Sequence, residues 1–272
     1  MNLFRCTFRF TLFSVFLLLL AAPASAHKIG LNPADYFPKP GSTVDIGIGW
    51  GHKYPVSRVH EELKEGMPEK IQAIDPDGEI VELTKAADDL YKLEISKAGA
   101  YLITADNKPG FFTVTKDGRK WGNKTEITAE KSKCTNFYLG GKTVLMAGDS
   151  STGFDRVAGQ TVDLVPLTNP GAVKKGDAFR VRVLFNGQPL ADLPLKAVYA
   201  GFNTVEEGSD PHAKKEDRPF PAEAVTNDQG EAELRVDRPG YWMISLSHKP
   251  PYPDKAVCDK YMYNMTYTFQ VQ

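Results

Sequence analysis

An all-β fold of two immunoglobulin-like sandwiches is the architecture this chain predicts, and three features of the sequence predict it. Apolar and polar residues alternate with a period of two through much of the chain, the alternating runs are short, and Gly, Pro, Asn and Asp cluster between them at regular spacing. An alternating run encodes a strand with one face in a core and the other towards water, and turn residues between such runs fold the chain back on itself.

Taken in order, the chain opens on a segment that is not part of that fold. Arg5 and Arg9 flank an apolar run from Phe10 to Leu20, and Ala24-Ser25-Ala26 closes it with the small residues a signal peptidase requires. The expectation is a cleaved signal peptide over 1–26, a mature chain of 246 residues starting at His27, and a periplasmic location. No later stretch approaches the ~20 apolar residues that span a bilayer, so the processed chain is not expected to span a membrane.

The first alternating runs are Val44 to Trp50 and Lys70 to Ile74, the second ending in the turn Asp75-Pro76-Asp77-Gly78. Tyr91 to Ile95 and Tyr101 to Ala105, separated by Ala98-Gly99-Ala100, read as a hairpin, and Phe111 to Val114 follows. Lys116 to Lys133 is charged and has little periodicity, which fits a short helix or a loop. A second unit begins near Pro170-Gly171. Phe179 to Phe185 leads into Asn186-Gly187, the strongest short hairpin signal, and Leu195 to Ala200 continues as a strand. Glu231 to Val236, Tyr241 to Leu246 and Tyr263 to Phe269 complete the alternation. Glu206 to Pro219, polar and rich in turn formers, reads as a long exposed loop carrying His212. The expected division is therefore an N-terminal β domain over 27–169 and a C-terminal sandwich over 170–272.

Charge excludes one class of partner. The leader carries two arginines and no acid, so the processed chain has 31 basic against 34 acidic residues, a formal charge of −3, and no basic surface for nucleic acid is expected. Cys6 leaves with the leader. Cys134 and Cys258 remain as one candidate pair, which an oxidising compartment favours, two unpaired thiols being the alternative.

The candidate site residues are histidines. Cleavage after Ala26 gives His27 a free α-amine beside its imidazole, and the two nitrogens together can chelate one metal ion; the alternative is that any polar residue can follow the cut. His52 stands at the end of the first long strand, on a loop before Lys53-Tyr54-Pro55, and His60 lies eight positions further on. Pro55 prevents one regular helix from carrying both. Neutral imidazoles suit nickel, cobalt, copper and zinc. His27, His52 and His60 form the candidate metal-ligand set, whereas Glu61-Glu62-Leu63-Lys64-Glu65 reads as a solvated face. His212 and His248 read as a loop residue and a structural residue. Protons compete with metal at such a site, so affinity is expected to fall from about pH 7.5 to about pH 5.5, through the ordinary α-amine and imidazole ranges.

Several motifs together carry a family resemblance over nearly the whole processed chain. They are His27, Trp50-Gly51-His52, Leu164-Val165-Pro166-Leu167-Thr168-Asn169-Pro170, Phe185-Asn186-Gly187-Gln188-Pro189-Leu190, and Asp228-Gln229-Gly230 ahead of Pro239-Gly240-Tyr241-Trp242. In these the chain resembles the NikK-like family of exported proteins, whose members include accessory subunits of nickel and cobalt uptake transporters. The resemblance implies a two-part β protein that handles a transition-metal ion outside the inner membrane, with nickel or cobalt as cargo and membrane transporter subunits as partners. Two other readings stay open. One is a copper oxygenase in which His27 and a second histidine brace the metal. The other is a non-metal structural or adhesive protein using Tyr252, Tyr261 and Tyr263 for contact. The chain shows no Gly-x-Ser-x-Gly elbow or Cys-x-x-Cys pair, and Gly140-Gly141-Lys142-Thr143 lacks the first glycine of a phosphate loop, so a non-enzymatic role is expected.

Overall fold

A computed structural model describes residues 28–51, 67–202 and 220–272. The regular secondary structure of the described residues is almost entirely strand. Its first nine strands are β1 (Lys28–Pro33), β2 (Thr43–Gly51), β3 (Lys70–Ile74), β4 (Ile80–Val81), β5 (Thr84–Ala87), β6 (Leu90–Glu94), β7 (Gly99–Asp106), β8 (Gly110–Thr115) and β9 (Gly118–Trp121). A 17-residue strand, β10 (Lys131–Ala147), and β11 (Val162–Pro166) follow. A single 3-10 turn at Pro170–Ala172 is capped by the Asn169 carboxamide, which accepts from Gly171 N at 2.9 Å. The remaining strands are β12 (Ala178–Phe185), β13 (Gln188–Pro189), β14 (Pro194–Tyr199), β15 (Ala222–Val225), β16 (Glu231–Arg235), β17 (Gly240–His248) and β18 (Lys260–Val271).

These strands build three sheets stacked as two β-sandwiches that share a layer. The first sheet has the order β1-β2-β6-β5 and the third runs β11-β12-β13, with β16 also on β12. Between them lies a ten-stranded sheet whose main path is β15-β14-β17-β18-β10-β7-β3-β4, with β8 and β9 attached to the N-terminal part of β10. Its middle strands are buried on both faces. Tyr101, Ile103 and Ala105 of β7 face a core shared with Ile29, Leu31, Ile46, Ile48 and Leu93, while Ala100 and Leu102 face a second core built on Phe179, Val181, Trp242, Tyr267 and Phe269. A strand buried on both sides carries apolar residues without a break, as β7 does.

The hairpin expected between Tyr91–Ile95 and Tyr101–Ala105 does not form. β6 pairs with β2 and β5, whereas β7 pairs with β10 and β3, so the Ala98–Ala100 turn carries the chain from one sheet to another. Gly99 makes that crossing at φ +128°, and a Cβ there would lie 2.6 Å from the Pro76 side chain. The Asn186-Gly187 turn does form: both residues have positive φ, and Phe185 pairs with Gln188 across it. In the charged stretch from Lys116 to Lys133, the structure places β9 and the start of β10 rather than a helix.

The long strand β10 joins the two halves of the chain. Its C-terminal part pairs antiparallel with β7, its N-terminal part with β8, and residues 135–143 run parallel to β18. Thus the last strand of the sequence lies against the middle one, across the 169/170 boundary. Cys134 and Cys258 form a disulfide beside this ladder, with 4.9 Å between their Cα atoms, tying the start of β10 to the segment before β18. Asp259 reinforces the junction, accepting from Cys134 N at 2.7 Å and from Lys124 Nζ at 2.6 Å. Burial pushes the Asp259 carboxyl up, but these donors outweigh it and hold it below its ordinary range.

β1 is an edge strand of its sheet, and β18 covers that edge. The Thr266 hydroxyl donates to the Ile29 carbonyl, and Thr268 Oγ1 donates to the Leu31 carbonyl at 2.5 Å. Both threonines are buried and alternate with Met265, Tyr267 and Phe269, which face the other core. One strand thereby fills one core with apolar side chains and satisfies backbone carbonyls at the other.

Candidate functional site

The candidate metal ligands His27, His52 and His60 lie outside the described residues, as do the expected signal peptide and His212. What the structure describes is the framework next to two of them. β1 and β2 form an antiparallel ladder that runs from Pro33↔Ile46 to Lys28↔Gly51. Lys28 and Gly51 are thus cross-strand partners, and in the covalent chain His27 and His52 each stand one peptide bond beyond that pair.

The same end of the ladder is buttressed by the central sheet. Trp50 is buried opposite Ile29, and the half-buried Lys28 donates from Nζ to Ser245 Oγ at 3.0 Å. Desolvation, then the nearby Lys196, pushes the Lys28 ammonium below its ordinary range.

His248 is the one histidine among the described residues. It ends β17, pairs with Tyr263, and packs edge-on against Phe185 with ring centroids 4.7 Å apart. Burial pushes its imidazole pKa down. No group of three His, Cys, Asp or Glu side chains that could hold a metal occurs among the described residues. Among the described residues His248 is a packed ring outside any such group.

Two further features go beyond the sequence expectations, the first anticipated only in three of its tyrosines. The first is a half-buried ladder of rings. Phe111 meets Tyr252 at 6.0 Å, Tyr252 meets Tyr261 at 4.7 Å, Tyr261 stacks on Tyr263 at 5.5 Å, and Tyr263 contacts Tyr138 at 5.8 Å and Phe185 at 5.5 Å. Tyr252, Tyr261 and Tyr263 were visible as exposed aromatics in the sequence; their continuity depends on β18 lying parallel to β10.

The second is a polar cluster inside the molecule. Lys142, in the run that resembles the end of a phosphate loop, sits in the middle of β10 and forms an ion pair with Asp163 at 2.7 Å, both side chains 1% exposed. Asp163 Oδ2 also accepts from the backbone N–H groups of Ala158 at 2.6 Å and Gly159 at 2.9 Å. Beside this pair, Asp106 Oδ1 accepts from the Tyr138 hydroxyl and from Gln160 Nε2. Burial is the main cause that raises the Asp106 carboxyl, with the charge of Asp163 adding to it. A lone buried lysine carries no periodic signal, so composition and alternation could not have revealed this cluster.

A family model for a domain of unknown function, DUF4198, matches residues 24–250. No curated protein matches the chain. Among solved structures, the D00-D0 domain of intimin is similar at 16% identity over 90% of this chain and 99% of that one, with a TM-score of 0.20. The D0-D1 domain of intimin is similar at 8% identity over 88% and 99%, also with a TM-score of 0.20. No helix among the described residues is long and apolar enough to cross a membrane. The family model spans most of the sequence, and the chain belongs to the DUF4198 family.

Proposed function

We propose that this protein is an exported, non-enzymatic carrier that captures a transition-metal ion, nickel or cobalt, and passes it to a membrane uptake transporter. The observation that supports this reading is the register Lys28↔Gly51, whose two residues directly adjoin His27 and His52 in the sequence. After cleavage at Ala26, the α-amine and imidazole of His27 supply two nitrogens and His52 a third. Neutral nitrogen donors of this kind match late first-row divalent ions. His60, eight residues after His52, is a further ligand candidate. The resemblance to NikK-like proteins supports nickel or cobalt as cargo and the periplasm as location, with transporter subunits as partners. Capture and release also suit a site at the open end of two strands rather than inside a core.

Isothermal titration with nickel and cobalt tests this on the chain beginning at His27. Adding one residue before His27, or replacing His52 by Ala, should weaken binding at least tenfold. Unchanged affinity in both would overturn the assignment.

One observation favours a second reading, a non-metal adhesive role: the ring ladder through Phe111, Tyr252, Tyr261 and Tyr263 is half-exposed and continuous. Such rings stack on sugars or on another protein. A melting temperature unmoved by excess nickel, cobalt, copper and zinc would favour that reading, since a ligand bound only by the folded state raises stability.

A further inference from the structure

The buried Lys142–Asp163 pair has the parts of an amide-forming site. We propose that Lys142 Nζ and Asp163 Cγ condense spontaneously into an intramolecular isopeptide bond that ties β10 to β11, with Asp106 as the proton-transfer group. Each part of that chemistry has a place in the structure. The nucleophile is Lys142 Nζ, 2.7 Å from Asp163 Oδ1. The electrophile is the Asp163 carboxyl carbon. Its other oxygen, Oδ2, faces two backbone N–H donors from Ala158 and Gly159, the arrangement that stabilises the oxyanion of a tetrahedral intermediate. That leaves Oδ1, the oxygen nearest the amine, as the one that departs.

Asp106 is placed to move the protons. Lys142 opposes Thr104 across the β10–β7 ladder, and Asp106 lies two residues further along the same face of β7, a diagonal separation of about 7 Å. The residue directly opposite Asp106 is Gly140, where a Cβ would lie 2.6 Å from the Met265 side chain and 2.9 Å from Asp106 Oδ1, so glycine leaves room for both. Tyr138 and Gln160 both donate to Oδ1 of Asp106, leaving Oδ2 to carry a proton. Gln160 is 8% exposed and its Oε1 has no hydrogen-bond partner among the described residues, an acceptor for the water that leaves.

Burial also favours the neutral forms that react. It lowers the Lys142 ammonium, with Asp163 only partly opposing it, and it raises the Asp106 carboxyl. The step balances without a co-reactant. The ammonium gives one proton to Asp163, and the freed Nζ lone pair attacks Cγ. Asp106 protonates Oδ1, the C–Oδ1 bond breaks, and the amide nitrogen returns a proton to Asp106. An ammonium and a carboxylate become one amide and one water. The product holds no buried charge, whereas the ion pair bears the desolvation cost of two. Fixed contact between the reacting groups replaces a bimolecular encounter.

Intact mass spectrometry of the purified, disulfide-reduced chain under denaturing conditions is decisive. The expected mass is one water below that of the same processed sequence, with proteolysis yielding a branched peptide joining Lys142 to Asp163. The conservative Lys142→Arg variant should return to the full mass, as should Asp106→Asn. Full mass in the native chain, or a water loss that persists in Lys142→Arg, overturns the proposal.

Discussion

At the scale of single residues, polar groups inside this protein are placed where the backbone needs them. Thr268 donates to the Leu31 carbonyl from a fully buried position, and Val at 268 would keep the volume while removing that donor. An unsatisfied buried carbonyl costs about 1–3 kcal/mol, so Thr268→Val should lower stability by that amount in urea denaturation. The Lys142–Asp163 pair predicts a larger effect. Lys142→Met removes the proposed cross-link and leaves the Asp163 charge buried beside two N–H donors; losing one partner of a buried ion pair costs about 3–5 kcal/mol by itself, so the variant should lose at least that much. A Lys142→Met/Asp163→Leu double variant should recover only part of that loss, because the Ala158 and Gly159 amides would then lack their acceptor. His248 gives a pH signature. Its folded pKa is depressed by burial, so the unfolded chain binds the proton more readily. Stability from its neutral form is present above about pH 6.5 and declines as pH falls through and below that value. Replacement by Phe should therefore stabilise the protein relative to the native chain as pH drops from 7 towards 5, measured as the difference in melting temperature.

At the scale of elements, alternation was legible and partnership was not. β2, β12, β16 and β17 carry clear two-residue periods and fold where those periods predict. The Asn186-Gly187 turn was also legible, because few residues besides Asn and Gly accept two successive positive φ angles. The error at Ala98–Ala100 has a general cause: a turn between two alternating strands looks the same whether they pair with each other or enter different sheets. β10 left little trace because its surroundings change along its length. It passes β8, then β7, and carries Gly140, Gly141 and a buried lysine where a regular strand would alternate. The histidines were legible as metal-binding residue types, and the β1–β2 register shows that the sequence neighbours of two of them, Lys28 and Gly51, are cross-strand partners.

At the scale of the whole molecule, the shared sheet and the disulfide make the two halves one cooperative unit. The parallel β10–β18 ladder crosses the chain's midpoint, and the Cys134–Cys258 bridge closes a loop with a sequence separation of 124. A Cys134→Ser/Cys258→Ser variant should lose about 2–5 kcal/mol. A fragment ending at Asn169 lacks β18, so it exposes the edge of β10 and the β1 carbonyls that Thr266 and Thr268 satisfy. Circular dichroism should show it unfolded or aggregated where the full chain melts in one transition.

The metal-carrier reading rests on the amino-terminal end of that unit, and a metal titration of the correctly processed chain tests it most directly. Calorimetry at about pH 7.5 should give one nickel or cobalt ion bound per chain, with affinity falling towards about pH 5.5 as the α-amine and imidazoles gain protons. The same ion should bind at least tenfold more weakly when one residue precedes His27 or when His52 is Ala. Binding that is absent in the processed chain, or that is indifferent to both changes, would contradict the account.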